Sequence, residues 1–573
     1  MAAMSAKMEG AGSQGLRRSG KTCGRRGFIL PFLILTGLAA GQKLTLAQAP
    51  SVDTLNPNVS YYVGAVAVQA DGKILIGGGF TTVDTQSHVR LARLSPDGIV
   101  ESAFTASAND SVYALAVQPD GRVLVGGDFT TLGGQACVAI GRLNANGALD
   151  TSFSTHVFDP PPFTTITARA QAILVQPDGK IVLGGRQSFN GGPTSGYLKR
   201  LNTNGTPDTA FSSAGVTGGM VDSLALQGDG KILVGGSFSF VGNQARFRLA
   251  RFNSDGSLDT DFNAALGSTA GEWVMSIAVQ ADQAILIGGV FTTVAGQPRT
   301  NLARLNPAGG LDLAFDPGAT GSSSTVYSLA LQADGKILVG GIFTALGGAS
   351  HLRIGRLNAD GTPDNSFNAG ANADVYGIAI EPDGKVLAGG FLTALAGQPR
   401  HYIGRLNSLE PAAQSLSYDG TTVTWMRSGS SCEVWRTTFD TRTDGANWVS
   451  LGEGARIAGG WQWGNVALPP GAQVRARGYT TGGGFSSSSW FIESVWPAVT
   501  PAIVTTDTLF GVRSNRFGFN IEGSSGSTVV VEGSTDLTGW TPLATNVLSS
   551  LALYFNDPDY PNFQHRFYRV RLQ

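Results

Sequence analysis

From Val63 to Ser408 the chain alternates repeatedly between short runs of bulky and small apolar residues and turns built on glycine. The run VYALAVQ, residues 112–118, sets Ala114 and Ala116 against Tyr113, Leu115 and Val117. A period of two predicts a β-strand with unlike faces. Asp120-Gly121 supplies the positive φ values of a tight hairpin, and RVLVGGDF follows as a second strand. A glycine-rich loop, TTLGGQA, leads to a third strand, VAIGRLN. Asn146-Gly147 turns the chain again, and LDTSF reads as a fourth strand. Nowhere in these repeats do apolar residues fall at i, i+3, i+4 and i+7, so no helices are expected.

Seven copies follow one another. Their first turns fall at Gly72, Gly121, Gly179, Gly230, Gln283, Gly335 and Gly384, between 49 and 58 residues apart. Four antiparallel strands per unit at this period predict a β-propeller, because one unit cannot bury its own apolar face and must stack on copies of itself. A small column (Ala65, Ala114, Ala172, Ser223, Ser276, Ser328, Gly377) lets first strands approach near a crowded axis. A bulky column (Val66, Leu115, Ile173, Leu224, Ile277, Leu329, Ile378) fills the gaps between blades. An open solenoid is the rival architecture, and the chain ends favour closure. The seventh copy stops at RLNSLEP without the ending of the other units, whereas VDTLNPN, residues 52–58, precedes the first copy and looks like that missing ending. It is expected to complete the blade of residues 375–407 and to remove the exposed sheet edges.

The Q-x-D-G-K-[IV]-L-x-G-G-x-F core and the R-L-N-x-[DN]-G-x-x-D-x-x-F ending, recurring in order over residues 52–408, resemble the bacterial delta-60 repeat. The resemblance implies a propeller in an exported protein and brings no catalytic residues. The di-glycine after the second strand is also similar to kelch blades, but kelch's later Tyr and Trp positions are absent.

Beyond Ser408 the pattern changes. Residues 413–497 and 501–573 hold short alternating runs such as TTVTWM, QVRARGY, STVVVEGST and FYRVRL. Each set predicts a small β-sandwich of immunoglobulin or fibronectin type. The expected fold class is therefore all-β: a seven-bladed β-propeller of four-stranded blades over 52–408, then two small β-sandwiches.

Composition adds an extracellular setting. Gly is 79 of 573 residues and charged residues are 14%, against typical shares of about 7% and about 25%. Residues 1–47 read as an export signal: Arg17, Arg18, Lys21, Arg25 and Arg26 precede the apolar run of residues 28–40, which is short for a membrane span. Cleavage fits after Ala47 or Ala49, and Arg25-Arg26-Gly27-Phe28-Ile29 resembles part of a twin-arginine signal. A secreted or cell-surface location is expected. Without residues 1–47 the chain carries 33 basic and 40 acidic residues, a net charge of −7, which speaks against nucleic acid as a partner. Cys137 and Cys432 lie in different domains and set up neither a disulfide framework nor a zinc site.

Candidate chemistry is sparse. No His-Glu-x-x-His or Gly-x-Ser-x-Gly pattern with partners is present. The repeated turn Asp (Asp71, Asp120, Asp178, Asp229, Asp282, Asp334, Asp383) is what a turn requires, whereas calcium needs six to eight oxygens. No catalytic constellation, cofactor or metal site is expected. The irregular third unit, with Arg186, Asn190, Tyr197 and Lys199, offers no paired carboxylates for acid and base roles.

One cationic column invites a binding hypothesis. Eight positions after the Phe or Leu that closes the second strand stand His88, Cys137, Arg246, Arg299, His351 and Arg400, joined by Arg90, Arg248, Arg353 and His401. Two readings stand: the guanidinium forks form a propeller rim that holds the carboxylates or sulfates of an acidic polysaccharide, or they bond backbone carbonyls of neighbouring loops. The other column, Arg93, Arg142, Arg200, Arg251, Arg304, Arg356 and Arg405, recurs in all seven third strands and is expected to be structural. Eight of nine Trp lie after residue 408. Trp461 and Trp463 share one strand face between glycines and are the expected pair for stacking on sugar, with core packing as the alternative.

From these residues the expected function is an exported, non-catalytic scaffold that binds a glycan or cell-surface protein. The alternative is a secreted polysaccharide hydrolase or lyase on the same scaffold.

Overall fold

The computed structural model describes residues 49–573 except 155, 159–165, 268, 444–446, 470–471, 485–487, 497–501, 506–509, 514–515, 523–527, 549–552, 564 and 573. The expected export signal, residues 1–47, lies outside the described residues, as does much of the 154–167 insertion. The described chain is all-β apart from two single 3₁₀ turns, His156–Phe158 and Tyr560–Asn562. No helix among the described residues is long and apolar enough to cross a membrane.

Each repeat forms three antiparallel strands. In the first unit these are Val63–Val68, Ile74–Gly78 and Leu91–Leu94. The first strands of the following units are Val112–Val117, Ile166–Val175, Val221–Leu226, Trp273–Val279, Thr325–Leu331 and Val375–Ile380. Every first strand packs on that of the next unit, and the seventh packs on the first. In six units the glycine-rich loop after the second strand folds into a two-residue hairpin, such as Thr131–Leu132 with Gln135–Ala136. The third unit instead runs on in two long strands, Ile181–Phe189 and Ser195–Leu201.

The expected fourth strand is reduced to a single bridge in each unit, for instance Leu143↔Leu149. The chain leaves the sheet because the next residue is an acid that takes the constant arginine. Arg142 Nε donates to Asp150 Oδ2 at 2.7 Å and Nη1 to Thr203 O of the following unit at 2.6 Å, and its guanidinium lies 4.7 Å from the Phe153 ring. Arg93, Arg200, Arg251 and Arg304 repeat the arrangement on Glu101, Asp208, Asp259 and Asp312, each reaching a turn carbonyl of the next unit. The result is a belt of inter-unit staples. At the sixth unit Glu410 replaces the missing turn, bonding Arg356 Nη1 at 2.9 Å.

At the seventh unit the N-terminal segment occupies the outer position. Val52 bridges Leu406, Asp53 N donates to Arg405 O at 3.0 Å, and Asp53 Oδ2 accepts from Arg405 Nε. Arg405 Nη1 then reaches Pro96 O of the first unit at 2.7 Å. Leu55 and Val59 are fully buried beside it.

The di-glycine has a mechanical reason. Each first strand carries a β-bulge opposite it, at the register shift Val112/Ala114 in the second unit. A Cβ on Gly127 would collide with the Ser111 carbonyl across this bulge, and equivalent collisions occur at Gly78, Gly185, Gly236, Gly289, Gly341 and Gly390. Only glycine tolerates such close backbone approach.

After Ser408, one sheet joins Ala412–Tyr418, Val423–Gly429, Gly460–Trp463 and Ala455–Ile457. A second joins Val449–Glu453, Arg436–Arg442, Gln473–Gly484 and Ser488–Trp496. The last two strands are longer than a free-standing sandwich needs, and their far ends enter the ring. Gly483 and Gly484 pair with Ile378 and Gly377, Ser489 bridges Ala116, and Ser488 Oγ accepts from Leu115 N at 3.2 Å. Trp490, 2% exposed, joins the core of the first two units. The segment 412–496 is therefore continuous with the repeats, a departure from the separate module expected from sequence. The final segment has two sheets, built on Arg516–Glu522 and Thr528–Ser534, around a core of its own that includes Phe519, Val531 and Phe555.

Candidate functional site

The bulge that demands the di-glycine also sets one residue per unit outside the strand pairing. The residues at the shift are Gly64, Tyr113, Gln171, Asp222, Met275, Tyr327 and Tyr376. A bulge re-aims the side chain it carries, and all seven lie where the innermost strands begin, at one mouth of the axis. The flanking columns are constant or conservatively varied; this one is not. It is the position at which the repeat gives up its symmetry.

Two sectors result. Tyr327 and Tyr376 meet edge to face with centroids 4.9 Å apart, and Tyr376 continues to Tyr62 at 6.1 Å and Phe391 at 5.5 Å. This aromatic arc spans the sixth, seventh and first units. The polar sector spans the second to fourth. Arg169 stacks 4.5 Å over the Tyr113 ring and holds both oxygens of Asp128, with Nε to Oδ1 at 2.7 Å. Asp222 is 4% exposed. Burial pushes its carboxyl up to about 7, against the pull of Arg169 and Arg186.

The hairpin of Gln473–Gly484 and Ser488–Trp496 enters from the opposite end and runs along the axis to the bulge end, where Gly484 pairs with Gly377 and Ser488 Oγ accepts from Leu115 N. Beside the hairpin, at the end where it enters, lies a small cleft lined by Leu226, Val279, Leu329, Glu433, Trp435 and Thr480 among others.

The structure settles where the rim cations lie. His88, Arg246, Arg248, Arg299, His351 and Arg400 are all buried. Arg246 donates to Ala245 O and Thr260 O, Arg248 to Ser237 O and Thr269 O, Arg299 to Pro298 O and Leu313 O, and Arg400 to Pro399 O and Asp53 O. Arg90 reaches Gly79 O, and Arg353 reaches Ala371 O. Arg90, Arg248 and Arg353 have φ of 68°, 65° and 64°, a left-handed turn that follows the hairpin. These forks are spent on backbone oxygens. Burial lowers the pKa of His88 and of His351. His401 is exposed. Cys137 occupies the same column as a buried thiol, its Sγ 3.0 Å from Ile140 O.

Of the Trp pair, Trp461 is buried beneath Arg456, whose guanidinium lies 5.1 Å from the ring, and Trp463 packs half-buried on the same core. In the third unit, Tyr197 donates to Arg169 O at 2.9 Å and Lys199 to Val157 O at 3.1 Å, while Asn190 takes a turn φ of 49°. Arg186 of that set acts through its charge on Asp222. Each turn Asp caps its own hairpin, as Asp120 Oδ1 does for Arg122 N at 3.0 Å. Among the described residues no group of three or more His, Cys, Asp or Glu could hold a metal ion. Sequence reasoning passed over the bulge column because Tyr113 reads as one more bulky strand residue; the available signal was that this position changes chemical class between flanking columns that do not.

Several solved structures share a distant likeness. A gluconolactonase from Xanthomonas campestris is 14% identical over 52% of this chain and 93% of its own, with a TM-score of 0.30. A puromycin hydrolase is 15% identical over 66% of this chain and 60% of its own, with a TM-score of 0.35. A glycoside hydrolase is 12% identical over 90% and 96%, with a TM-score of 0.21. Likenesses this slight say nothing of activity. No curated protein is significantly similar in sequence. Residues 69–104, 118–153, 176–211, 227–262, 280–315 and 332–367 match the model of a β-propeller domain of unknown function, DUF5122. With these six matched repeats, the chain is a β-propeller repeat protein.

Proposed function

We propose that this is an exported binding protein: a seven-bladed propeller of the delta-60 kind, latched by residues 52–58, that engages a glycan or cell-surface protein at the end of its axis where the bulge column lies. The two C-terminal segments, 413–497 and 501–573, serve as sandwich-like accessory modules, the first of them closing the opposite mouth. The observation that carries the reading is the bulge column. Seven otherwise similar units place a glycine and six side chains of three chemical kinds, aromatic, polar and apolar, around one end of the axis. A feature shared by every unit serves the frame, whereas a ligand that is not sevenfold symmetric needs a place where the units differ.

A second reading is a secreted polysaccharide hydrolase or lyase, and one observation favours it. A buried carboxyl raised to about 7, as at Asp222, suits proton transfer near neutrality. Against it, Asp128, the other carboxylate of that sector, is held by Arg169.

Glycan-array binding run beside reducing-end release separates the two. Binding that is abolished by Tyr376→Ala, without release of sugar, supports the binding protein; release that is lost in Asp222→Asn assigns the hydrolase. Binding that depends on Arg246 or Arg299 while ignoring Tyr376 would move the site back to the rim.

A further inference from the structure

One position of the inter-unit belt changes its chemistry where the ring closes. The residue two before the Asp of the first turn is Gln69, Gln118, Gln176, Gln227, Gln280 and Gln332 in the first six units and Glu381 in the seventh. In the belt this glutamine backs the constant arginine: Gln227 Oε1 accepts from Arg251 Nη1 at 3.1 Å, and Gln332 Oε1 from Arg356 Nη1 at 3.2 Å. Glu381 takes the same place, 5% exposed, with Oε1 3.3 Å from Arg405 Nη1. That guanidinium also holds the N-terminal segment through Asp53. In the fourth unit Arg251 and Lys231 face Asp259 and the turn residue Asp229, so cations and acids balance. In the seventh, Arg405 and Lys385 face Asp53, Asp383 and Glu381, which leaves a buried acid in excess. Asp97, on the first unit's turn, adds to the negative field on this side, and Arg400 Nη2 donates to Asp53 O. The exposed His401 stands at the edge, its backbone N donating to Asn56 Oδ1 at 3.3 Å.

A protonated carboxyl is close in shape to a glutamine amide and accepts from Arg405 through its carbonyl oxygen as the amide does. An ionised one adds a charge to a joint that has none to spare, and burying unbalanced charge is costly. Burial pushes the Glu381 carboxyl up to about 7, against the pull of Arg405, and Asp53 pushes in the same direction as burial. Coupling of this kind is reciprocal: if docked Asp53 disfavours ionisation of Glu381, ionised Glu381 disfavours docking of Asp53. We propose that Glu381 makes closure of the ring sensitive to pH: protonated, it stands in for the glutamine of the other units and leaves Arg405 to hold the N-terminal segment; ionised, it competes with Asp53 for that guanidinium, and residues 52–58 undock more readily. The folded value lies above the ordinary 4.5, so the hold is full in acid and weakens as the pH rises through 7.

The test is hydrogen exchange on residues 48–573, corrected at each pH for the intrinsic exchange rate. Two amides report undocking, Asp53 N, bonded to Arg405 O at 3.0 Å, and Asn407 N, bonded to Ser51 O at 2.7 Å; Asp259 N, bonded to Arg251 O at 2.8 Å, reports the same belt position away from the closure. Between about pH 5.5 and about pH 8.5 the opening constant of the first two should rise about tenfold, the effect of one pKa unit between docked and undocked states, while that of Asp259 stays level. Glu381→Gln, which installs the residue of the other six units, should abolish the rise, and Asp53→Asn should reduce it. A level wild-type profile, or the same rise in Glu381→Gln as titration of His401 would give, would overturn the inference. So would a Glu381→Gln profile displaced by one factor at every pH, which is what a merely structural role produces.

Discussion

The outer belt and the axial mouth are built from the same repeat, yet they obey opposite rules. In the belt all seven units carry the same arginine, which bonds a carboxylate of its own unit or of the N-terminal segment and, in most units, a carbonyl of the next. At the mouth no more than three units agree, and two of the polar groups are left unsatisfied. Uniform, fully paired ion networks hold a ring together, since breaking one strands a buried charge. Irregular, partly unpaired groups weaken the apo fold and are kept where something else pairs them. The comparison teaches which positions to perturb for stability and which for binding.

The largest expected effect is on ring closure. Removing residues 51–58 withdraws Asp53 from Arg405 and the fully buried Leu55 from the first unit. The loss should reach about 5 kcal/mol or more, read as a lower denaturation midpoint. An unchanged midpoint would mean that the belt does not depend on being closed.

Arg356→Ala should come next. This guanidinium is 1% exposed, with Asp364, Glu410 and Gln332 as partners and the Phe367 ring 5.0 Å away. A cost of about 3–5 kcal/mol is expected. Burial opposes ionisation of Asp364, yet Ser366, Arg356 and Lys336 bring its pKa down to about 2. With the folded value below the unfolded one, that contribution is present above pH 4 and lost as the pH falls toward 2. The gap between wild type and variant should narrow over that range.

Asp222 carries the opposite sign. Its folded pKa, about 7, lies above the ordinary 3.8, so its contribution is intact below pH 4 and lost as the pH rises through 7. Asp222→Asn should therefore match wild type in acid and be more stable above pH 8, by up to about 4 kcal/mol. A pH-independent difference would show that the carboxyl is not held in its neutral form by burial. The smallest effect on stability belongs to Tyr376→Ala. Its ring is half-buried at the opening, and about 1 kcal/mol is expected from the lost edge-to-face contacts, although binding should fall sharply.

Much of the frame was legible in the chain. The period-two runs and the Asp-Gly turns marked the first three strands of each unit, because they are local signals repeated along the chain, and the orphan ending at residues 52–58 pointed to the last unit, though not to Arg405 as the partner of Asp53. The fourth strand was overread: LDTSF alternates well enough, but Asp150 is claimed by Arg142 and the chain turns away. Two other features have no local signature. A bulge changes register by one residue, which leaves the apolar alternation around Tyr113 intact. The hairpin that enters the axis reads as GYTTGGGFSSSSW, a glycine- and serine-rich turn, because its strand runs close against backbone and needs small residues there, as where Gly482 approaches Ile378 O. The rim arginines were legible as a column, but only their partners show that they face carbonyls.

The most direct test of the division between frame and mouth is a crystal structure of residues 48–573 with a glycan that they bind. The account predicts a ligand against the bulge column, with the Arg246, Arg299 and Arg400 bonds to their carbonyls unchanged. A ligand seated on those rim arginines, with the mouth empty, would contradict it.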